Sequence, residues 1–447
     1  MHVWPNGNAM PCCIADSDKP FGNVKNKSIA EVWNSDEYKD LRLAMLNGEK
    51  RDVCKRCYEL ENRSNTWTLR KNHNQWFGDK HFDLVENTNA DGSIDNLRMA
   101  YLDIRFSNIC NMKCHTCGPE LSSQHAKEFK DLYGEHELAR MLKNDGKIVV
   151  NIAKENNFWE DLQKYLPDVE EVYWAGGEAL ITDEHYKILD YWIETGKKDV
   201  RLRYTTNFSN FKYKQKSIIE YWKEFEDIQV SGSLDSNGTR AEYSRNGTDW
   251  NQIERNRIEM LEKVPHVHFE LTPTISLYNA WNWPDFHMDW VERGLVDIEN
   301  CRLNILTDPD FMRIDNIPED IKIELRSKYI DYKAWAFDKI KERAEARPEV
   351  IKDVIGKIDS VIQFLKDFSV QFRLYKYVLD KEKNEMIYIS HGDCIEDAEY
   401  VKQHIIEKLG VSEDIITINM IGPVIGAHSG VNTLAIFYLG NERYLDE

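Results

Sequence analysis

Short apolar runs and amphipathic stretches alternate from about residue 99 to about residue 306. The apolar runs have the length of strands, and the stretches between them place apolar residues at helical spacing. Strands are predicted at Met99–Phe106, Glu171–Trp174, Val200–Thr205, Ile228–Ser233, His266–Ser276 and Ile298–Leu306. Helices are predicted between them at Glu120–Leu132, Asp183–Thr195, Gln215–Phe225, Trp250–Lys263 and Pro284–Arg293. This alternation is typical of a parallel β/α sheet or barrel.

The number of strand–helix units decides which parallel architecture to expect. Six strands fall short of the eight in a full TIM barrel, so we expect an α/β fold with a partial, open (β/α)6 TIM-like barrel over residues 99–306. Before it, residues 1–65 form a small Cys-rich module and residues 66–98 a polar, Asn-rich linker. After it, residues 307–385 are charged and helical, and residues 386–447 have the strand–helix–strand pattern of a small α/β segment.

Composition and charge narrow the range of partners. The chain has 447 residues, with 58 Lys and Arg against 77 Asp and Glu, and a formal net charge of −19. That charge would repel nucleic-acid phosphates and an anionic membrane, so neither is expected as a partner. No apolar run approaches the roughly 18 residues of a membrane-spanning helix, and the N-terminus lacks a signal-peptide pattern. We therefore expect a cytoplasmic protein, in which cysteines are more often metal ligands or catalysts than disulfides.

Seven of the nine cysteines lie in three tight groups before residue 120. The groups are Cys12 and Cys13, Cys54 and Cys57, and Cys110, Cys114 and Cys117, while Cys301 and Cys394 lie apart in apolar or strand-like surroundings. The third group has the spacing C-x3-C-x2-C and follows the first predicted strand, at the active-site end of a β/α sheet. Three thiolates in one short loop can hold three corners of a 4Fe–4S cluster and leave one iron open. A zinc site is the alternative, with His115 and His125 nearby.

In this setting the three-cysteine loop and residues 99–306 resemble the core of radical S-adenosylmethionine (SAM) enzymes. The resemblance implies that the three thiolates of the loop ligate a 4Fe–4S cluster and that SAM binds the open iron. Ala175-Gly176-Gly177-Glu178 ends the second predicted strand and resembles the GGE motif of that family. This implies that Glu178 carries the SAM amino group, and Gly176 and Gly177 let the backbone approach a ligand closely.

Three later segments resemble further SAM-binding motifs of the same family, the first two at the ends of predicted strands and the third farther along the chain. Thr206-Asn207-Phe208 resembles the TNG segment, with Phe208 in the place where glycine is usual. Ser231-Gly-Ser233-Leu-Asp235 resembles the SxDG segment near the ribose, and Arg245-Asn-Gly247 resembles the RxG segment. The resemblance assigns Asn207, Ser233, Asp235 and Arg245 to SAM, with Arg245 offering a fork for its carboxylate.

The implied reaction begins with the cofactors rather than with acid–base side chains. A reductant such as flavodoxin or ferredoxin would supply one electron, and SAM would yield a 5′-deoxyadenosyl radical that abstracts hydrogen from a substrate. The substrate is unidentified, and the resemblance favours a peptide or protein. No side chain stands out as a later acid or base, so the catalytic residues are unknown.

The N-terminal cysteines resemble those of a SPASM or twitch module, which binds an auxiliary iron–sulfur cluster in other radical SAM proteins. Cys12, Cys13, Cys54 and Cys57 are separated by a stretch that includes Phe21-Gly-Asn and Glu31-Val-Trp-Asn-Ser. Adjacent cysteines rarely ligate one cluster together, so one of the first pair is expected to be a bystander. Such modules usually follow the SAM core, whereas this one precedes it. A zinc knuckle with the same four cysteines is the alternative.

The C-terminal segment resembles the last part of DegV-family fatty-acid-binding proteins, through the run Gly422-Pro-Val-Ile-Gly-Ala-His428-Ser429-Gly. His428 and Ser429 fall on family positions near the fatty-acid head group. About 55 residues match, and the first DegV domain is missing, so half a pocket cannot enclose an acyl chain. We therefore expect a packing domain or fusion remnant. The alternative functions are a non-catalytic lipid-binding or scaffolding protein that uses this tail, and a structural zinc protein.

Overall fold

The fold is described at residues 1–16, 18–63, 68–78, 80–155, 157–342, 348–366, 384–391, 395–409, 412–420 and 434–440, in a computed structural model. The chain divides into two compact units, Met1–Ile362 and Gln363–Glu447. No helix within the described ranges is long and apolar enough to cross a membrane.

A mixed sheet of eight strands organises the first unit. Its strands and the short ladders beside it are β1 (His2–Val3), β2 (Asn8–Met10), β3 (Gly22–Asn23), β4 (Tyr101–Ile104), β5 (Lys113–Cys114), β6 (Glu171–Trp174), β7 (Arg201–Thr206), β8 (Lys212–Tyr213), β9 (Lys216–Ser217), β10 (Ile228–Gly232), β11 (Arg245–Asn246), β12 (His268–Leu271), β13 (Thr274–Ile275) and β14 (Asn304–Ile305). The strand order is β12-β10-β7-β6-β4-β1-β2-β3. Strands β4, β6, β7, β10 and β12 are parallel, which confirms the predicted α/β class.

The predicted sixth strand pairs beside this sheet rather than within it. Strand β14 is parallel to β13, and an isolated bridge joins Leu271 to Cys301. The single strand expected at His266–Ser276 is divided into β12 and β13, because Pro273 between them has no N–H to donate to a ladder. The predicted order of strands along the chain is therefore present, with the fifth strand interrupted and the sixth, β14, paired to its second part.

Helices cover the connections between the strands. They are α1 (Ile29–Trp33), α2 (Asp36–Leu46), α3 (Lys55–Arg63), α4 (Leu69–His73), α5 (Asp83–Glu86), α6 (Ser123–Tyr133), α7 (Glu135–Leu142), α8 (Phe158–Gln163), α9 (Asp183–Glu194), α10 (Ile218–Trp222), α11 (Gly238–Ser244), α12 (Trp250–Lys263), α13 (Trp283–Glu292), α14 (Glu319–Lys341) and α15 (Pro348–Lys366). Short 3-10 helices occur at Asp52–Cys54, Ile152–Lys154, Leu166–Asp168, Ala179–Ile181, Asp310–Met312 and Ile314–Asn316, and a π-helix at Asn74–Gly78.

The core follows from the alternation of apolar residues along these elements. In β7, Leu202 and Tyr204 are buried while Arg201 and Arg203 are only half-buried, as expected for a strand with one covered face. Helix α9 buries one side, including Trp192, against the sheet. Such burial removes large apolar surfaces from water and is the main stabilising term of the fold.

The N-terminal Cys-rich residues are joined to this sheet by main-chain pairing. Strand β1 runs parallel to β4, with His2 opposite Asp103 and Val3 opposite Ile104. Strands β2 and β3 continue the sheet in antiparallel fashion. Strands β1, β2 and β3 therefore extend the sheet beyond β4, the strand that leads into the three-cysteine loop.

The second unit contains a three-stranded sheet and one helix among its described residues. These elements are β15 (Asn384–His391), α16 (Ile395–Leu409), a 3-10 turn at Glu413–Ile415, β16 (Ile416–Met420) and β17 (Leu434–Gly440). Strand β15 lies in the centre, parallel to β16 and antiparallel to β17. Ile387, Ile389 and Ile405 form its buried core. Cys394, His428 and Ser429 lie outside the described residues.

Candidate functional site

The three-cysteine loop follows β4 and is fastened by hydrogen bonds to its main chain. Strand β5 pairs with β11, which places Arg245 opposite Cys114. Ser122 Oγ donates to the Met112 carbonyl oxygen at 2.6 Å, and His125 Nε2 lies 2.8 Å from the Cys114 carbonyl oxygen. These contacts involve helix α6, whose N-cap is Ser122. The loop is therefore held between α6 and a distant strand.

The structure brings the three predicted cluster ligands together. Cys110, Cys114 and Cys117 pack around Met112, and Cys110 and Cys114 are only 9% and 8% exposed. Burial raises the pKa of Cys110 and of Cys117 to about 12. Burial also raises the pKa of Cys114, against the opposing effect of the Arg245 charge. Each thiol therefore keeps its proton at neutral pH until a metal replaces it.

Two side chains outside the loop donate towards these sulfurs. Arg245 Nη1 lies 3.6 Å from Cys114 Sγ, and Asn207 Nδ2 lies 3.9 Å from Cys110 Sγ. The same Asn207 nitrogen donates to Asn111 Oδ1 at 2.9 Å. The thiols consequently face polar donors rather than a purely apolar core.

The two glycines predicted at the end of β6 lie against the start of the loop. Both have positive φ, +77° for Gly176 and +48° for Gly177. A Cβ on Gly177 would lie 2.5 Å from the Ile109 carbonyl oxygen, so only glycine fits there without a backbone shift. Glu178 N–H donates to the same oxygen at 2.7 Å. Gly177 therefore lies against the loop backbone, whereas Gly176 lies against the Arg105 side chain.

Glu178 is 1% exposed and accepts three hydrogen bonds from neighbouring segments. Its Oε1 accepts from Leu180 N–H (3.1 Å) and Thr206 Oγ (2.8 Å), and its Oε2 accepts from Asn207 N–H (2.7 Å). Burial raises the pKa of Glu178, while these donors oppose the increase. A carboxylate has about four lone-pair sites, so one remains for the predicted ammonium group.

Phe208 takes the backbone conformation that the usual glycine would provide. Its φ is +61°, in the left-handed region that is uncommon for an aromatic residue. The ring is fully buried against Phe211 and Phe269, and Asn256 Nδ2 donates to the Phe208 carbonyl oxygen at 2.9 Å. Packing therefore maintains the turn, which positions Asn207 beside Cys110.

Asp235 and Arg245 form a bidentate ion pair beside the loop. Arg245 Nε and Nη2 donate to the two Asp235 oxygens at 2.7 Å and 3.0 Å. Thr274 N–H also donates to Asp235 Oδ1 at 2.8 Å. Ser233 is half-buried, and its N–H donates to the Thr206 carbonyl oxygen at 2.9 Å. Next to Asp235, the fully buried Ser236 hydroxyl has no hydrogen-bond partner among the described residues.

These observations fit a cluster and a polar cosubstrate. Three adjacent thiols are the donor set of an iron–sulfur cluster with one open iron. The unsatisfied Ser236 hydroxyl and the acidic and basic groups around it suit a polar ligand. Within the described ranges, no three His, Cys, Asp or Glu side chains are arranged to hold a single metal ion.

The N-terminal cysteines are separated into two environments. Cys12, Cys54 and Cys57 line one cavity of about 180 Å³, together with His73 and Arg70. Cys13 lines only a neighbouring cavity of about 270 Å³, which Cys12 also lines and which includes Asp103. Burial raises the pKa of Cys12 and Cys54, and their interaction with each other or with Cys57 adds to it. The geometry groups three of the four cysteines and sets Cys13 apart.

Several side chains of the site carry no motif that sequence reasoning could use. Asn111 lies between the cysteines and donates to Ser209 Oγ at 3.0 Å. Asn108 spans the base of the loop, with Nδ2 donating to the Pro119 and Ile148 carbonyl oxygens. Asparagine is common in loops, so the sequence gives no reason to single out Asn108 and Asn111. Only their contacts beside the cysteines show that they belong to the site.

Two parts of the chain match known family models. Residues 1–58 match SPASM, an iron–sulfur cluster-binding domain, and residues 353–441 match the DegV family model. A DegV domain-containing protein of Clostridium perfringens is 38% identical over 78 residues, which is 17% of this chain and 26% of that protein. The chain thus spans about a quarter of the length of the curated relative it matches. The predicted SPASM-like and DegV-like segments are confirmed.

The fold is also similar to two solved structures at low identity. One is TYW1 with a lysine–pyruvate adduct bound, at 15% identity and a TM-score of 0.26, covering 49% of this chain and 68% of that chain. The other is native anSMEcpe with bound AdoMet and the Cp18Cys peptide, at 15% identity and a TM-score of 0.33, covering 54% of this chain and 64% of that chain.

Proposed function

We propose that this chain is a radical SAM enzyme whose cluster is ligated by Cys110, Cys114 and Cys117. The observation that carries the proposal is the packing of three thiols in one loop after strand β4. When bound and reduced, a 4Fe–4S cluster held by these residues would supply one electron to SAM, which would give methionine and a 5′-deoxyadenosyl radical able to remove hydrogen from the substrate. The protein binds and orients SAM beside the cluster and excludes water.

The residues around the loop supply the groups that SAM requires. Glu178 offers one remaining acceptor site to the ammonium group, and two of the five Arg245 N–H donors remain for the carboxylate. Ser233 and Asp235 follow strand β10, where the ribose is expected from the motif order. Gly177 acts indirectly, because it packs against the loop that holds the cluster ligands, and Gly176 beside it packs against the Arg105 side chain.

An auxiliary iron–sulfur cluster in the N-terminal module is part of the proposal. The SPASM match and the shared cavity support Cys12, Cys54 and Cys57 as its ligands. Cys13 is then the expected bystander. Because enzymes with such a module often modify peptides or proteins, a peptide or protein is the proposed substrate. Flavodoxin or ferredoxin is the proposed reductant.

Anaerobic reconstitution followed by turnover tests the proposal. The purified chain should turn brown, bind iron and sulfide in equal amounts, and release 5′-deoxyadenosine from SAM when dithionite is added. Cys114→Ala should abolish that release because the open-iron cluster needs all three thiolates. The matched control is Cys301→Ala, since Cys301 is buried but lies outside the loop, and it should keep the activity.

Three results would contradict the proposal. Colourless protein that binds stoichiometric zinc would favour the structural zinc alternative. Cleavage of SAM by Cys114→Ala would show that the ligands are wrongly assigned. A full complement of iron without any 5′-deoxyadenosine would show that the cluster does not act on SAM.

A further inference from the structure

The Arg245 guanidinium lies between a carboxylate and a cysteine sulfur. Nε and Nη2 donate to Asp235 at 2.7 Å and 3.0 Å, which leaves Nη1 directed at Cys114 Sγ at 3.6 Å. Because the guanidinium is planar and rigid, the bidentate pair fixes the direction of the third nitrogen. The ion pair with Asp235 therefore fixes the contact between Arg245 Nη1 and the Cys114 sulfur.

Main-chain contacts hold both partners of this arrangement. The β5–β11 ladder places Arg245 directly opposite Cys114, and Asp235 is fixed by Thr274 N–H at 2.8 Å. Asn279 Nδ2 also donates to the Asp235 carbonyl oxygen at 3.0 Å. The Arg245 and Asp235 side chains are only 14% and 8% exposed, so little water screens the interaction.

We propose that Arg245, positioned by Asp235, donates a hydrogen bond to the Cys114 sulfur and raises the reduction potential of the cluster that Cys114 ligates. A donor and a positive charge at a ligand sulfur favour the reduced cluster, which carries one more negative charge. This inference rests on the proposed function, because it requires the cluster. The hydrogen bond to sulfur is compatible with the proposed contact between Arg245 and the SAM carboxylate, because two Arg245 N–H donors remain unused.

The test is a redox titration of the reconstituted protein without SAM. The electron paramagnetic resonance signal of the reduced cluster is measured at each potential. Arg245→Gln removes the charge and the sulfur contact. We expect a potential that is more negative by at least about 59 mV, equivalent to a tenfold lower ratio of reduced to oxidised cluster. Arg240→Gln is the matched control, because Arg240 is exposed and donates to the Tyr278 carbonyl oxygen at 3.5 Å rather than to a sulfur.

Each outcome decides between the two proposals. Wild-type protein without iron would refute the proposed function itself. If the cluster forms and has the same reduction potential in wild type and Arg245→Gln, the effect of Arg245 on the potential is overturned and the proposed function stands. The same conclusion follows if Arg240→Gln shifts the potential as much as Arg245→Gln does. If Arg245→Gln does not hold iron, Arg245→Lys is titrated instead and should also shift to a lower potential. Loss of iron from both variants would make Arg245 a structural residue and overturn the inference.

Discussion

Replacing Gly177 with alanine should disturb the three-cysteine loop more than a comparable change elsewhere. Gly177 has φ +48°, and an added Cβ would lie 2.5 Å from the Ile109 carbonyl oxygen and 2.9 Å from that of Ser107. To relieve this clash, the loop backbone must move by about 0.5 Å or more, because real Cβ contacts are almost never shorter than 3.0 Å. Ile109 directly precedes Cys110, so the shift is passed to a cluster ligand.

The size of the effect follows from two separate costs. A non-glycine residue in the left-handed region costs about 1–2 kcal/mol, and overpacking that moves backbone costs about 1–3 kcal/mol. Gly177→Ala should therefore lower the free energy of unfolding by about 2–5 kcal/mol. Gly196→Ala is the matched control, because Gly196 has φ +75° but nothing within 4 Å of an added Cβ. Its cost should be only about 1–2 kcal/mol.

Urea denaturation of the apoprotein and iron analysis after reconstitution measure the two consequences. Gly177→Ala should lose both stability and iron, whereas Gly196→Ala should keep wild-type iron content. The reasoning would be refuted if the two variants lost the same free energy of unfolding and Gly177→Ala bound as much iron as the wild type. That result would mean that the loop moves freely away from the glycine.

Three further predictions use other parts of the site. Cys12→Ala should remove the iron of the auxiliary cluster while Cys13→Ala retains it, as measured by iron analysis, because Cys13 lines a different cavity. Phe208→Gly should be more stable to urea than Phe208→Ala by about 1–2 kcal/mol, since glycine avoids the left-handed strain that both larger residues carry. The rate of cluster loading into the apoprotein should increase as the assay pH is raised from about 7 to about 9. The raised pKa of Cys110 and Cys117 keeps these thiols protonated at the lower pH, and a flat or falling rate would contradict this.

The sequence pattern predicted the bounds of two elements to the residue. Strand β6 and helix α12 begin and end at the predicted residues. The pairing of strand β1 with β4 escaped prediction, because β1 has only two residues and its partner lies about a hundred residues away along the chain. The boundaries of the predicted linker and modules stay predictions.

The candidate site was predictable in its order along the chain but not in its contacts. The motif order placed Glu178, Asn207 and Arg245 after successive strands, and the structure brings them close to the cysteines. The bond from Arg245 to a sulfur depends on a ladder between distant segments, which local pattern does not encode. Likewise, spacing alone could not tell Cys12 from Cys13, because both lie in a turn whose course the local pattern does not encode.

The ladder between β5 and β11 has a consequence for how the protein is made. Cys114 and the arginine opposite it are 131 residues apart, so at ordinary translation speeds the thiols leave the ribosome roughly 7–26 s before their partner strand leaves it. During that interval the nascent chain offers bare sulfhydryls to oxygen and to stray metal ions. Insertion of iron would then be most faithful after synthesis has passed residue 246, which makes cofactor delivery a late event in the life of each molecule.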